Sequence, residues 1–301
     1  MAAASDSAEW SDIRARWAAE QLELKERLQQ VDTVRWLLHA ANAEDADGDN
    51  KLTGDSLLNT ETRHVRRLAG VDISFLKGSN EHACASIVVL DFPSLRVLYE
   101  AFTYVCLPAP YIAGFLAFRE VPALTKLYED LLARCPALVP DITLVDGNGV
   151  LHPRGFGLAS HFGVLMGIPT IGVGKTFLHV DGLTKGDVKA RMLQAQRDGA
   201  QVAQLEGASG RVWGAALCSA EGVQNPVFVS VGHLLSLDTS LAVVDACSQY
   251  RVPEPIRQAD LRSRRVVKEW ETSGRVDTAL DSYSVAVASK DGTTSALVKR
   301  Q

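Results

Sequence analysis

The sequence predicts an α/β domain, and three observations carry that prediction. Apolar or alternating runs of strand length recur at residues 68–75, 83–90 and 95–102 and again at 142–145. Helical stretches fall between and after them, at 121–133 and, with a basic composition, from 260 onward. One of the buried-strand runs ends on Asp146 followed by Gly147 and Gly149, a strand running out into a glycine-rich loop. With 301 residues, 47% of them hydrophobic, the chain can bury one sizeable core.

Taken from the N-terminus, residues 10–39 are expected as one long amphipathic helix, with Ile13, Trp17, Leu24, Leu28 and Val31 close to helical period. Residues 40–62 form a polar insertion, so that 1–62 read as a helix plus an acidic insertion ahead of a single catalytic domain at 63–270. Residues 271–301, rich in Ser, Thr and Ala, are expected as a flexible tail. Segments 1–9, 40–62 and 271–301 lack a core-facing pattern and are expected to be dispensable for chemistry. Within the domain, residues 68–75 alternate as a strand that places Asp72 on one face with Gly70 and Ser74. Residues 83–90 and 95–102 follow as strands around the turn Asp91-Phe92-Pro93-Ser94, which makes a three-strand antiparallel meander. Glu120 is expected to open the helix at 121–133. Residues 227–231 form a strand followed by His233. Asp260 is expected to open a basic helical stretch carrying Arg262, Arg264, Arg265 and Lys268.

The acidic positions carry the chemistry. A lone Asp inside a strand is disfavoured and needs a partner or a metal, and Asp72 is such a residue. An Asp at a strand tip before glycines, as at Asp146, can bind a divalent ion, although an isolated Asp-Gly is more often a turn or a helix cap. Glu120 and Asp260, taken alone, read as helix-start carboxylates. Together the four make a set of oxygen donors. Two divalent metals about 4 Å apart need several shared carboxylates, and Mg²⁺ prefers oxygen. Two other motifs fail. Residues 45–52 resemble the start of a calcium loop, but Asn50 stands where glycine is needed and Ser56 where glutamate is needed. Residues 172–176 resemble the end of a phosphate-binding loop, but Pro169 occupies the first glycine position.

The ordered motifs Gly70-Val71-Asp72-Ile73-Ser74-Phe75, Pro110-Tyr111-Ile112, Phe118-Arg119-Glu120, Asp146-Gly147-Asn148-Gly149, His152-Pro153-Arg154-Gly155-Phe156-Gly157, Ile171-Gly172-Val173-Gly174-Lys175, Ser230-Val231-Gly232-His233 and Ile256-Arg257-Gln258-Ala259-Asp260 resemble the endonuclease V family. The match runs in order from about residue 10 to about residue 268. It implies a ribonuclease-H-like mixed sheet with flanking helices. It also implies Mg²⁺-dependent cleavage, with Mn²⁺ able to substitute, one nucleotide 3′ of inosine or deoxyinosine. On that resemblance Asp72, Glu120, Asp146 and Asp260 are the metal ligands, and Lys175 holds the phosphate. His233 serves proton transfer or a phosphate contact. Pro110, Tyr111 and Ile112 form a wedge that fills the stack when the base is extruded. Gly147, Gly149, Gly157 and Leu158 offer backbone to the flipped base, with His152 and Arg154 beside them as substrate contacts. The chain departs from the family pattern at Ala113, where many members have Pro, and at Gly174, where Ala is usual. The first departure makes the wedge less rigid.

Charge and cysteine content fit this reading. The formal net charge is −5, but residues 1–60 carry 12 acidic and 6 basic residues and the rest of the chain 24 and 25. Phosphate contacts must therefore come from local Lys and Arg rather than a global field. The five cysteines are scattered, odd in number and in no metal spacing, as expected of thiols in a reducing compartment. No secretory signal or membrane span is expected. The expected setting is intracellular, cytoplasmic or nuclear including the nucleolus. The expected partner is inosine-containing RNA or deoxyinosine-containing DNA, bound by a monomer. Two alternatives share parts of the pattern: a non-cleaving inosine-binding module, and a structure-directed nuclease such as a junction resolvase. The complete carboxylate set and Lys175 weigh against the first, and the Tyr111 wedge with its glycine-rich neighbours weighs against the second.

Overall fold

The structure, a computed structural model, describes residues 8–38, 61–109, 111–219, 222–223, 225–273, 284–288 and 294–299. Helix α1 (Ala8–Glu26) precedes a short parallel pair, β1 (Arg35–Leu37) with β2 (Thr62–His64). The meander follows as β3 (Arg67–Phe75), β4 (His82–Asp91) and β5 (Val97–Cys106), antiparallel throughout as expected. Next come α2 (Leu116–Arg134), β6 (Ile142–Asp146), α3 (Leu158–Met166), β7 (Thr170–Gly174) and α4 (Lys185–Arg197). The chain continues through β8 (Val202–Glu206), β9 (Val212–Leu217), β10 (Val227–His233), α5 (Leu237–Ala246) and α6 (Glu254–Ser273). Strands β11 (Ser284–Ala288) and β12 (Thr294–Lys299) complete it. Among the described residues one ten-stranded mixed sheet runs β12-β11-β5-β4-β3-β6-β7-β10-β9-β8. Only β3–β6 and β6–β7 are parallel in it.

The two faces of the sheet are covered by different helices. Odd-numbered positions of β3, such as Ala69 and Val71, pack with Val145 under α2 and α3. Even-numbered positions, such as Leu68, Ile142 and Leu144, face α5 and the start of α6. Strand period two therefore puts Asp72 and Asp146 on the α6 side together. The parallel register brings them level, because Val71 pairs with Val145 and the next rung is Asp72 beside Asp146. α6 can approach only because position 70 lacks a side chain. A Cβ there would lie 2.0 Å from the Pro255 carbonyl oxygen and 2.6 Å from the Ile256 nitrogen. No described helix is long and apolar enough to cross a membrane.

Three boundaries differ from expectation. The N-terminal helix stops at Glu26 instead of running to residue 39. Tertiary hydrogen bonds divert the chain after it: the Gln29 N–H donates to His233 Nδ1, and the Asp32 carboxylate accepts from the Ser236 N–H and the Thr239 hydroxyl at the start of α5. Val31 is left 62% exposed, and Trp36 enters the core on β1. Glu120 and Asp260 lie one turn or more inside α2 and α6 rather than opening them. The segment expected as a flexible tail holds the last residues of α6 and two strands, with β11 paired antiparallel to β5. Of the other two segments expected to be dispensable, residues 1–7 and 40–60 lie outside the described residues, whereas Ala8 and Glu9 open α1 and Thr62 begins β2.

The contact at Gly70 gives a direct test. Gly70→Ala is expected to force α6 off β3, with the cost of an overpacked core, about 1–3 kcal/mol. Chemical denaturation should show that loss. Cutting should fall with it, since α6 carries Asp260; an unchanged stability and rate would mean that α6 does not sit where this register requires.

Candidate active site

β3 and β6 deliver Asp72 and Asp146 to the same end of the sheet, and α6 lays Asp260 over them. These three line a cleft of about 440 Å³ with Ile73, Ser74, Phe75, Lys175 and Arg264. Asp72 is buried and accepts hydrogen bonds from the Ser74 hydroxyl (3.0 Å) and the Ser263 hydroxyl (3.1 Å). Lys175, just past β7, donates to Asp146 at 2.6 Å and stands 3.8 Å from Asp260. Arg264 pairs with Asp260 at 2.9 Å, one helical turn along α6.

Electrostatics follow from that crowding. Burial, then the neighbouring Asp146 carboxyl, pushes the Asp72 carboxyl up to about 8. Glu120 on α2 approaches from the opposite face. Burial pushes it up to about 7, Arg119 opposes the shift and Asp146 adds to it, so Glu120 senses Asp146 without lining the cleft. Burial pulls the Lys175 ammonium down, but Asp146, Asp72 and Asp260 outweigh it and hold the group above its ordinary range.

The residues fit a divalent cation. All the donors are carboxylate oxygens, as Mg²⁺ requires, and the structure already sets one positive charge among them, the Lys175 ammonium. Among the described residues no three Asp, Glu, His or Cys side chains are drawn together tightly enough to hold an ion as they stand. Asp146 is turned to Lys175, and Asp260 is shared between Lys175 and Arg264.

His233 does not join this group. It closes β10 opposite Thr170, whereas Phe228 lies opposite Gly174 at the Lys175 end of β7. Four rungs of strand, roughly 13 Å, separate the two ends. His233 is buried beneath the chain that follows α1. It accepts the Gln29 N–H through Nδ1, and burial and Arg27 hold its pKa below the ordinary value. The expectation of proton transfer or a phosphate contact does not fit this position, because antiparallel pairing sends the C-terminal end of β10 away from the strand ends that carry the carboxylates.

The loops expected to meet substrate are brought together, but several of their residues serve one another. The Asp146–Gly149 loop crosses the sheet flush against β10. A Cβ on Gly149 would lie 2.0 Å from the Val231 carbonyl oxygen, and one on Gly157 would lie 2.4 Å from that of Asn148. These two glycines are thus required by backbone packing, and the Gly157 N–H also bonds the Gly149 carbonyl at 2.9 Å. Gly147 abuts the Leu158 side chain at the start of α3. The Asn148 side-chain oxygen is buried there with no protein partner. Arg154 does not face outward: its guanidinium stacks on Phe115 at 4.0 Å and donates to the Gly114 carbonyl and to Gln21 of α1. His152 is buried beside the same Gly114 backbone, and burial, then Arg154, pulls it down to about 4. Both residues, expected as substrate contacts, instead clamp the base of the loop bearing Tyr111 and Ile112. Tyr111 itself is 68% exposed, against the alternative of a core aromatic. Pro110 lies outside the described residues.

Sequence reasoning passed over Ser263 and Gln21, and named Arg264 only as part of a basic stretch. Ser263 and Arg264 follow Asp260 at helical spacings of three and four, a signal visible in the sequence. Gln21 carried none.

With this geometry in place, comparison identifies relatives. A family profile described as Endonuclease V matches residues 50–261. The human protein named endonuclease V is 43% identical over 256 residues, covering 84% of this chain and 83% of the relative. The mouse protein of that name is 43% identical over 252 residues, covering 84% and 69%. A crystal structure of human ENDOV superposes with a TM-score of 0.73 at 40% identity, covering 85% of this chain and 99% of that one. A Ciona intestinalis endonuclease V, solved with a 24mer DNA containing an inosine followed by a ribo-adenosine, superposes with a TM-score of 0.73 at 31% identity, covering 86% and 99%.

The raised pKa of Asp72 predicts a trade between activity and stability. Its folded value lies above the ordinary carboxylate value of about 3.9, so the folded state holds a proton that the unfolded state has released. That contribution is fully present below the unfolded pKa and is lost as pH rises toward about 8. In chelator, Asp72→Asn should therefore melt higher than the parent at pH 8 and lose that advantage toward pH 4, while failing to cut. A parent and variant with parallel melting profiles across that range would refute the electrostatic account.

Proposed function

The chain belongs to the endonuclease V family, and from that premise we propose that it is a divalent-metal-dependent endonuclease directed to inosine. It cuts the phosphodiester one nucleotide 3′ of inosine in RNA, or of deoxyinosine in DNA, leaving a 3′-hydroxyl and a 5′-phosphate. The observation that carries this reading is the juxtaposition of Asp72, Asp146 and Asp260 at one sheet end with Lys175 among them. The Ciona relative supports the choice of base, since its DNA contains inosine. That DNA also places a ribonucleotide directly after the inosine, which favours RNA as a substrate for this chain.

In the reaction a water oxygen bonds to phosphorus, the bond from phosphorus to O3′ breaks, and the departing O3′ takes up a proton. Asp72, Asp146 and Asp260, with Glu120 behind Asp146, would hold Mg²⁺, or Mn²⁺ in its place. When bound, that ion lowers the pKa of water and offsets charge on the phosphate. Ser74 and Ser263 fix the Asp72 carboxyl so that its oxygens face the cleft. Lys175 is placed to hold a phosphate oxygen in a partly desolvated site, where an ammonium stabilises developing negative charge most strongly. Tyr111 stands out from a loop that Arg154 and His152 brace from beneath, suited to fill the gap left by an extruded base.

Cleavage of matched inosine and deoxyinosine oligonucleotides with Mg²⁺ tests the reading. Cutting of the inosine strands and not of adenosine controls is expected; cutting of both alike would overturn it. Asp146→Ala should abolish cutting while substrate binding survives, since a lost ligand removes water activation and leaves the loops in place.

Tyr111→Ala is expected to weaken binding by about tenfold or more, because stacking on one aromatic ring is worth roughly 1–3 kcal/mol. The loss should be larger on duplex than on single strands, where no stacked neighbour is abandoned. Equal losses on both would make Tyr111 a plain stacking platform.

A further inference from the structure

Lys175 lines two clefts. Besides the carboxylate cleft it borders a larger one of about 700 Å³, formed under α4 and beside β10. We propose that this second cleft is a strand-binding subsite, which carries the nucleic-acid backbone on one side of the scissile phosphate. The inference rests on the nuclease reading and deepens it by saying where the substrate strand runs.

Three observations carry it. The first is charge. Lys185 and Lys189 of α4 join Lys175 and Arg251 on its wall, and no Asp or Glu is among the described residues that line it. Lys185 and Lys189 are exposed and lie four residues apart, so both point from one face of α4, about 6 Å apart along the axis. In a chain of net charge −5 such a concentration is local, which is how a near-neutral body must hold phosphates.

The second is the floor. Phe177, Val188, Met192 and Phe228 are buried beneath the cations, and Leu193 stands 47% exposed at the rim. A small anion would have no use for an apolar floor. A polymer whose repeat is a phosphate plus a sugar and a flat base matches both parts, and grooves that hold single strands combine the same two elements. The volume is that of a site for an organic ligand rather than for an ion.

The third is continuity. Arg251 donates to the carbonyl oxygens of Lys175 (2.6 Å), Asn225 (3.1 Å) and Pro226 (3.2 Å). Its charge is fixed in place by carbonyl oxygens, and the residue that joins the two clefts is tied to the wall of the second. A strand whose scissile phosphate meets Lys175 therefore passes directly onto Lys185 and Lys189.

The test uses the full-length protein and the variant in which Lys185→Ala and Lys189→Ala are combined. Inosine-containing single strands are compared that are short on both sides, extended 5′, or extended 3′. The short strand should be cut as by the parent. On one of the extended strands KM should rise about tenfold. The dependence of log affinity on log salt should flatten by about 1.4, two lost contacts at about 0.7 each on a single strand. Equal change on short and extended strands, or no change on any, would overturn the subsite. Direct binding of the extended strands, followed by fluorescence anisotropy in chelator, keeps the two readings apart. If the parent binds them but cuts no inosine strand, the proposed activity fails. If parent and variant bind them alike, the subsite fails even where cutting is intact.

Discussion

Two carboxyl groups, Asp72 and Asp146, stand level on neighbouring parallel strands, and the crowding of like charges between them governs the rest of the site. Neither strand tip would tolerate this arrangement alone. Ser74 and Ser263 give hydrogen bonds to Asp72, Lys175 answers Asp146, and Arg264 balances Asp260. The protein thus stores an unfavourable local field and compensates it with a cation of its own. A site of this kind is costly to stability and suited to a reaction in which a divalent ion and a phosphate must share one small volume.

The scaffold achieves this by close backbone approach. The absent side chain at Gly70 lets α6 rest on β3, and the absent side chain at Gly149 lets the loop after β6 rest on β10. Both contacts set distances that a single methylene would change. The loop carrying Tyr111 is handled differently, by side chains: Arg154, His152 and Gln21 converge on Gly114, at the foot of the loop, while its tip stays exposed. A rigid base with a free tip is what insertion into a base stack demands.

The parts of the site legible in the sequence are those that break local rules. An Asp in a strand and an Asp at a strand tip before glycines stand out, because neither position favours a carboxylate without a reason, and the meander around Asp72 formed as its alternation indicated. What could not be read locally depends on tertiary pairing. His233 sits beside a strand in sequence, yet the direction of β10 carries it to the wrong end of the sheet. Glu120 and Asp260 looked like helix openers, but α2 starts four residues earlier without a side-chain cap, and α6 starts six residues earlier at Glu254. Arg154 and His152 were expected as substrate contacts from the family resemblance; only the fold shows them turned inward to Gly114.

Helix α1 and the segment after it make their contacts across long stretches of sequence. Gln21 and Lys25 reach Phe156 and Arg154, across 135 and 129 residues, and Gln29 and Asp32 reach His233, Ser236 and Thr239, across more than 200 residues. During vectorial synthesis α1 waits for α2, α3 and the loop between them, against which Trp17, Gln21 and Lys25 rest, and the segment after it waits for β10 and α5, so loop-closure entropy is met in two steps. The foot of the Tyr111 loop, which Gln21 completes, can therefore form once the chain as far as α3 has emerged. The carboxylate cleft is completed later, because Asp260 arrives only with α6.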